Sequence, residues 1–318
     1  MDHQSEIRVG TPQYEQHVRE EIEHYSRIFS PADPDGGRGQ PTLLQPVPQT
    51  WLEVERRASA LVQTATGNNL TGHLLDRLSR RRHPRMLSLG AGPGGIELAV
   101  SRYSPQARIL CMDLNPSLLD IGREAARRDG LPVEFQEADL NVVELPDKQF
   151  DVVLCHAALH HVLELEHLAA QIKRALRPPG ELVVVDVITD RGYRMWPETR
   201  DVVRALWGSL PARFKINHTA YAKPRLDEQI WESDTSASGM ECIRSQDILP
   251  VLNANFTAVH YVPYFSICRR FLDTMYGPNY DLSSPLDMAL FNWIWELDVN
   301  YIGKGRLQPE TFFGIYRP

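Results

Sequence analysis

The chain has 318 residues, 42% of them hydrophobic and 24% charged, with a formal net charge of −7. That length suits one elaborated domain or two with a large core, and the acidic balance disfavours general attraction to phosphate backbones, so no nucleic-acid partner is expected. Cys111, Cys155, Cys242 and Cys268 lie far apart with no C-x-x-C pair, which argues against a zinc-ligand spacing and against a disulfide framework. The first ten residues carry charges and no apolar h-region, and no apolar run approaches the ~18 residues a membrane span needs. A cytoplasmic protein without a membrane partner is the expectation.

In chain order, Tyr14, Val18, Ile22, Tyr25 and Ile28 recur every three or four positions, the mark of an amphipathic helix. Residues 30–50 are dense in Pro and Gly and read as a mobile connector. Helices follow at Trp51–Ala65 and Leu70–Leu78, so residues 1–84 form an N-terminal helical cap. The pattern then changes. MLSLG (86–90), RILCMD (108–113), VEFQEAD (133–139), FDVVLC (150–155) and ELVVVDVI (181–188) are apolar strands separated by helices. Such alternation indicates a parallel sheet covered on both faces. Residues 85–188 therefore read as one doubly wound, Rossmann-like core, the segment expected to bind a cofactor on the motifs below. Residues 189–254 read as a largely helical insertion. Strands return at FTAVHYV (256–262) and TFFGIY (311–316), around a second helical insertion at 264–309. The expected fold class is α/β: a doubly wound, mostly parallel seven-stranded sheet with an antiparallel last strand and a helical lid.

The sharpest motif is LSLGAGPGG (87–95). Glycines after a first strand let the backbone approach a ligand, and the following helix offers free N–H groups. Gly90, Gly92 and Gly95 also fit G-x-G-x-x-G, which alone is weak evidence. Asp113, closing the second strand, suits ribose hydroxyls in both NAD and adenosyl-cofactor enzymes.

EADLN (137–141), LPDKQFDVVLCHAALHH (145–161) and the RALRPPG turn (174–180) add order to these landmarks. Together they resemble the class I S-adenosylmethionine-dependent methyltransferases. The resemblance implies S-adenosyl-L-methionine as cofactor, S-adenosyl-L-homocysteine as product, and a small-molecule acceptor. It places the loop Gly90, Ala91, Gly92, Pro93 and Gly94 under the methionine portion. Asp113 takes the ribose, with Leu114 on the adenine; Asp139, with Leu140 beside it, takes the adenine amino group; His156 lines the floor near the sulfonium. The family often carries an acidic residue two positions before the first glycine, where this chain has Ser88, so backbone carbonyls must hold more of the cofactor's amino-acid end. A looser resemblance in 193–217, 239–256 and 295–318 points to a bacterial subgroup tied to polysaccharide or secondary metabolism.

His156, His160, His161 and His167 cluster within twelve residues. The adjacent pair His160 and His161 cannot share one helix face, so no metal is expected; His160 or His161 is a candidate general base for a hydroxyl acceptor, against the leading alternative that the pair packs or caps the following helix. Glu241 and Arg244 read as a local surface pair on a helix start. Phe291, Trp293 and Trp295 read as roof core, with an aromatic substrate wall as the alternative, and Arg80–His83 as a solvated helix end rather than a phosphate site. The expectation is O-methylation of a sugar or secondary-metabolite hydroxyl. N-methylation, an NAD-dependent oxidoreductase and a non-catalytic adenosyl-cofactor-binding protein are the alternatives, and a homodimer joined through the first helix stays open.

Overall fold

The computed structural model describes residues 7–29, 47–218, 224–237 and 239–318. Most of the connector expected at 30–50 lies outside them. Three helices open the chain: α1 (Pro12–Phe29), α2 (Gln49–Thr66) and α3 (Leu70–Ser79). α2 buries Val54, Ala58 and Val62, one residue per turn, and stops at Gly67, whose left-handed backbone returns its N–H to Gln63. Asn69 caps α3 by accepting from the Gly72 N–H.

The core follows as β1 (Arg85–Leu89), α4 (Gly95–Tyr103), β2 (Arg108–Asp113), α5 (Pro116–Asp129), β3 (Val133–Glu137), β4 (Phe150–His156), α6 (Leu165–Ala175) and β5 (Leu176–Val187). The remainder is α7 (Pro197–Ser209), a two-residue ribbon β6 and β7 (Ile216–Asn217 and Arg225–Leu226), α8 (Ile248–Asn255), β8 (Thr257–Tyr264), α9 (Cys268–Leu272), α10 (Pro285–Gly303) and β9 (Thr311–Arg317). Seven strands form one sheet in the order β3-β2-β1-β4-β5-β9-β8. β1 to β5 pair in parallel, while β9 runs antiparallel to both β5 and β8. The expected sheet, with its reversed last strand, is the one observed.

Side-chain alternation splits the core. Val152, Leu154, Val183, Phe313 and Ile315 point to one face, packed with α2, α3 and the C-terminal insertion. Val153, Cys155, Leu182, Val184 and Phe312 point to the other, against α6 and α8. β4 is buried on both faces, which is why it reads as a continuous apolar run rather than an alternating one. Glu181, at the start of β5's regular pairing, is buried beneath Arg77 (2.9 Å), Arg317 (2.7 Å) and His73 (3.3 Å), tying α3 and β9 to β5.

Residues 189–254 are less helical than expected. α7 and α8 are the α-helices among the described residues there, joined by single 3-10 turns and the ribbon. Proline removes a helical N–H at Pro211 and Pro224, and short polar side chains compete for the backbone, as Asp234 does in accepting from the Ser236 N–H. Phe291 and Trp295 are buried as expected, whereas Trp293 is half exposed. Arg80, Arg81, Arg82 and His83 are exposed. Among the described residues, no helix is long and apolar enough to cross a membrane.

Candidate functional site

β1 delivers the chain to a loop in which Gly90, Gly92 and Gly94 all have left-handed backbones. Two of them also have no room for a side chain. A Cβ on Gly90 would sit 2.5 Å from the Ala158 methyl, and one on Gly94 would sit 2.8 Å from the Phe135 ring. Asp113, at the end of β2, clamps this loop by accepting from the Gly92 N–H (2.7 Å) and the Asn115 N–H (2.8 Å). Burial raises its carboxyl above the ordinary range, against the pull of those two N–H groups.

A cavity of about 430 Å³ opens over this loop, within the ~300–1,000 Å³ typical of small-molecule sites. Its wall includes Gly90, Ala91, Gly92, Pro93, Asp113, Leu114, Asp139, Leu140, His160 and His161. Gly94 and His156 are outside that wall. Gly94 begins α4 behind the loop, and His156 closes β4, its imidazole depressed by burial. Ser88 points away from the cavity and donates to the buried Glu97 at 2.5 Å, with burial raising the Glu97 carboxyl.

Helix α1 supplies the opposite wall through Val18, Glu21, Ile22, Tyr25 and Phe29. Several polar contacts fix it, two of them to residues just past the strand ends. The Tyr14 hydroxyl donates to Asp139 Oδ2 at 2.5 Å, and Asn115 donates to the Ile22 carbonyl at 3.0 Å. Asn141 holds the other Asp139 oxygen through its backbone N–H (2.9 Å).

Beyond α1 lies a second cavity of about 760 Å³, walled by Tyr193, Trp231, Tyr276, Asp234 and Asp273 among others. Glu21, Tyr25, Glu241 and Arg269 line both cavities and form the partition between them. The histidines meet this partition. Asp186, wholly buried at the end of β5, accepts from the backbone N–H groups of Ala158 (3.0 Å) and Leu159 (2.7 Å) and holds His160 Nδ1 at 2.5 Å. Although burial opposes its charge, His160 and those N–H groups keep the Asp186 carboxyl below the ordinary range. His160 Nε2 lies 3.7 Å from Glu241, beyond hydrogen-bond reach.

His161 differs. Its Nδ1 is 2.6 Å from Glu21 and its Nε2 3.7 Å from Glu241. Burial disfavours its charge, but the two carboxylates outweigh burial and raise the imidazole to about 9. At neutral pH His161 is therefore a cation rather than a base. The Tyr25 hydroxyl donates to Glu241 at 3.1 Å.

The expected Glu241–Arg244 surface pair does not form. Residues 240–244 are a turn rather than a helix start, and Cys242 has a left-handed backbone (φ 52°) that sends the two side chains apart. Glu241 enters the partition, while Arg244 pairs with Glu166 (2.8 Å) and Asp247 (2.9 Å). Arg269, Tyr193, Trp231 and Tyr276 were not singled out by sequence; their insertions carry no periodic pattern or motif.

Residues 87–184 match the family described as "Methyltransferase domain". The chain is 33% identical over 102 residues to the demethylmenaquinone methyltransferase of Thermus thermophilus, a match spanning 32% of this chain and 46% of that protein. It is 28% identical over 205 residues to the uncharacterized methyltransferase YcgJ of Bacillus subtilis, spanning 59% and 78% of the two chains. The crystal structure of the [4+2]-cyclase SpnF superposes with a TM-score of 0.47 at 19% identity, covering 86% of this chain and 97% of that one. The chain thus matches less than half the length of the quinone methyltransferase. The glycine loop, Asp113, Asp139 and the strands β1 to β5 fall in or beside the matched segment, while β8 and β9 lie outside it. Over residues 87–184 the chain is thus similar to S-adenosylmethionine-dependent methyltransferases, and the likeness to the quinone methyltransferase is confined to this core.

Proposed function

We propose that the chain transfers a methyl group from S-adenosylmethionine to a hydroxyl of a small molecule, of the sugar or secondary-metabolite kind. The residues present fit the cofactor. The Gly90–Pro93 loop lines the cavity, with bare backbone at Gly90 and Gly92, and at Gly90 a Cβ would collide with the Ala158 methyl. Asp113, its inner lone pairs spent on Gly92 and Asn115, retains acceptor capacity for ribose hydroxyls. Asp139 lies across the cavity, where it can accept from an adenine amino group. When bound, S-adenosylmethionine supplies an electrophilic methyl group on a cationic sulfonium.

The observation that carries the reading is the pairing of two cavities through one partition, with the His160–Asp186 dyad beside it. Methyl transfer is an in-line displacement, so donor and acceptor must meet through a shared opening. Asp186 keeps the proton of His160 on Nδ1, which leaves Nε2 as the lone-pair nitrogen. An acceptor hydroxyl delivered to the partition would lose its proton to Nε2. The resulting imidazolium sits between Asp186 and Glu241, both carboxylates held in their charged forms. The quinone-directed relatives align over the core alone, so they bear on the donor half and not on the acceptor.

Calorimetry separates the readings. S-adenosylhomocysteine is expected to bind in the micromolar range and NAD not to compete. Binding of NAD with displacement of S-adenosylhomocysteine would establish the oxidoreductase alternative instead. Binding of S-adenosylhomocysteine without turnover on hydroxyl, amine and phenol acceptors would favour the non-catalytic one.

A further inference from the structure

His160, Glu241 and Cys242 converge on one point of the partition, and their ligand atoms all lie within 4.8 Å of one another. Two of the edges are 3.7 Å: His160 Nε2 to Glu241 Oε1, and Cys242 Sγ to the same oxygen. Metal–donor bonds of about 2.0–2.3 Å in tetrahedral array give donor–donor edges of roughly 3.3–3.6 Å. The cluster is thus close to the spacing an ion would impose.

Two further observations support this. His160 Nε2 has no hydrogen-bond partner among the described residues, while Nδ1 is fixed by a buried carboxylate. That carboxylate–histidine arrangement orients and strengthens an imidazole ligand. The surroundings also favour a cation: Asp186, Glu21 and Glu241 face the point, opposed by the paired His161 and by Arg269. His161 does not join the ligand set, because its Nδ1 is engaged by Glu21.

We infer that His160 Nε2, a Glu241 oxygen and Cys242 Sγ form a binding site for one divalent transition-metal ion of the zinc class. Sulfur, imidazole and carboxylate together select zinc or cobalt over magnesium or calcium. Three protein donors leave a fourth position, and His160 and Glu241 both line the donor cavity. On binding, the Cys242 thiol releases its proton to solvent and the thiolate takes its place on the ion. The ion occupies the same lone pair that the proposed base uses, so loading shuts off proton removal by His160. That consequence rests on the methyltransferase reading; the binding itself does not.

The test is titration of the full chain, reduced and metal-free, with cobalt(II). One equivalent is expected to bind with a thiolate-to-cobalt charge-transfer band in the near ultraviolet, and zinc is expected to displace it. Cys242→Ser should abolish the band, and Glu241→Gln should weaken cobalt affinity by about tenfold or more. Cys268→Ser, at a buried thiol away from the cluster, should leave both unchanged, which guards against nonspecific thiol binding. Affinity for S-adenosylhomocysteine, measured on the same samples, reports separately on the cofactor site. Absence of the band in the folded wild type, or its survival in Cys242→Ser, overturns the inference.

Discussion

The Tyr14 hydroxyl and the Asp139 carboxylate, 125 positions apart in sequence, are joined by a 2.5 Å hydrogen bond that fastens the first helix to the rim of the donor cavity. Asp139 is the carboxylate proposed for the adenine amino group, so one side chain serves both the roof and the ligand. Removing the phenol oxygen frees one end of α1. Tyr14→Phe is expected to weaken S-adenosylhomocysteine binding by roughly fivefold, about 1 kcal/mol for one hydrogen bond. Calorimetry of the variant beside wild type measures this; an unchanged affinity would show that the bond does not support the site.

Deleting residues 1–30 takes the same argument further. Tyr14 packs with Met240 and Ile243 in a small cluster separate from the two sheet cores. The truncated chain is therefore expected to keep the sheet folded, lose turnover and bind the cofactor more weakly. Circular dichroism and calorimetry on one preparation test both halves. Full cofactor affinity in a soluble truncation would reduce α1 to a cover for apolar surface.

Asp113→Ala should be more damaging to the donor cavity than any change in the roof. It removes the acceptor for Gly92 and Asn115 and the proposed ribose contact together. Hydrogen bonds to charged groups are worth ~1.5–3 kcal/mol each, so loss of detectable S-adenosylhomocysteine binding is expected. Gly90→Ala is a second probe, since its methyl would meet Ala158 at 2.5 Å on a backbone with positive φ. It is expected to lower both melting temperature and cofactor affinity.

His161 gives the protein a specific alkaline weakness. Its folded pKa, raised to about 9, exceeds the unfolded value near 6.5, so the protonated form stabilises the fold. The contribution is complete below the unfolded value and is lost as pH rises through about 9. It is of order 3 kcal/mol at most. Denaturant unfolding of wild type and His161→Gln should show the difference between them shrinking from pH 6 to pH 10. A constant difference would mean that the Glu21 pairing contributes nothing to stability.

His160→Gln and Asp186→Asn test the proposed base. Either change is expected to lower kcat by ~10²–10⁴-fold for a hydroxyl acceptor. For His160→Gln, cofactor affinity should stay within a few-fold. The loss should be smaller at high pH, where solvent hydroxide takes over proton removal. Equal loss at every pH would assign the dyad a structural role.

The convergence of Gly90, Asp113 and Asp139 on one cavity was legible in the sequence because these residues sit at fixed offsets from strand ends. Gly90 follows β1, Asp113 closes β2, and Asp139 lies two residues past β3, so topology alone gathers them at one edge. The partition was not legible. Tyr25 reaches Glu241 across 216 positions, and Glu241 sits in a turn whose spacing to Arg244 imitates a helical pair. Only the left-handed backbone at Cys242 separates them, and a cysteine gives no sequence sign of that conformation. The aromatic wall of the second cavity comes from segments without periodicity, where long-range packing rather than local preference decides the structure.

The reversal of β9 carries a practical consequence for handling the protein. Because the strand runs against β5, it begins at the edge that carries the two cavities, where Thr311 pairs with Val187 and accepts from Arg269 (3.2 Å). It ends at the opposite edge, where Arg317 reaches Glu181. An affinity tag or surface tether joined at Pro318 therefore leaves from the side away from both cavities. One joined ahead of α1 pulls on the helix that roofs the donor cavity, so an immobilised preparation should be anchored by its far end.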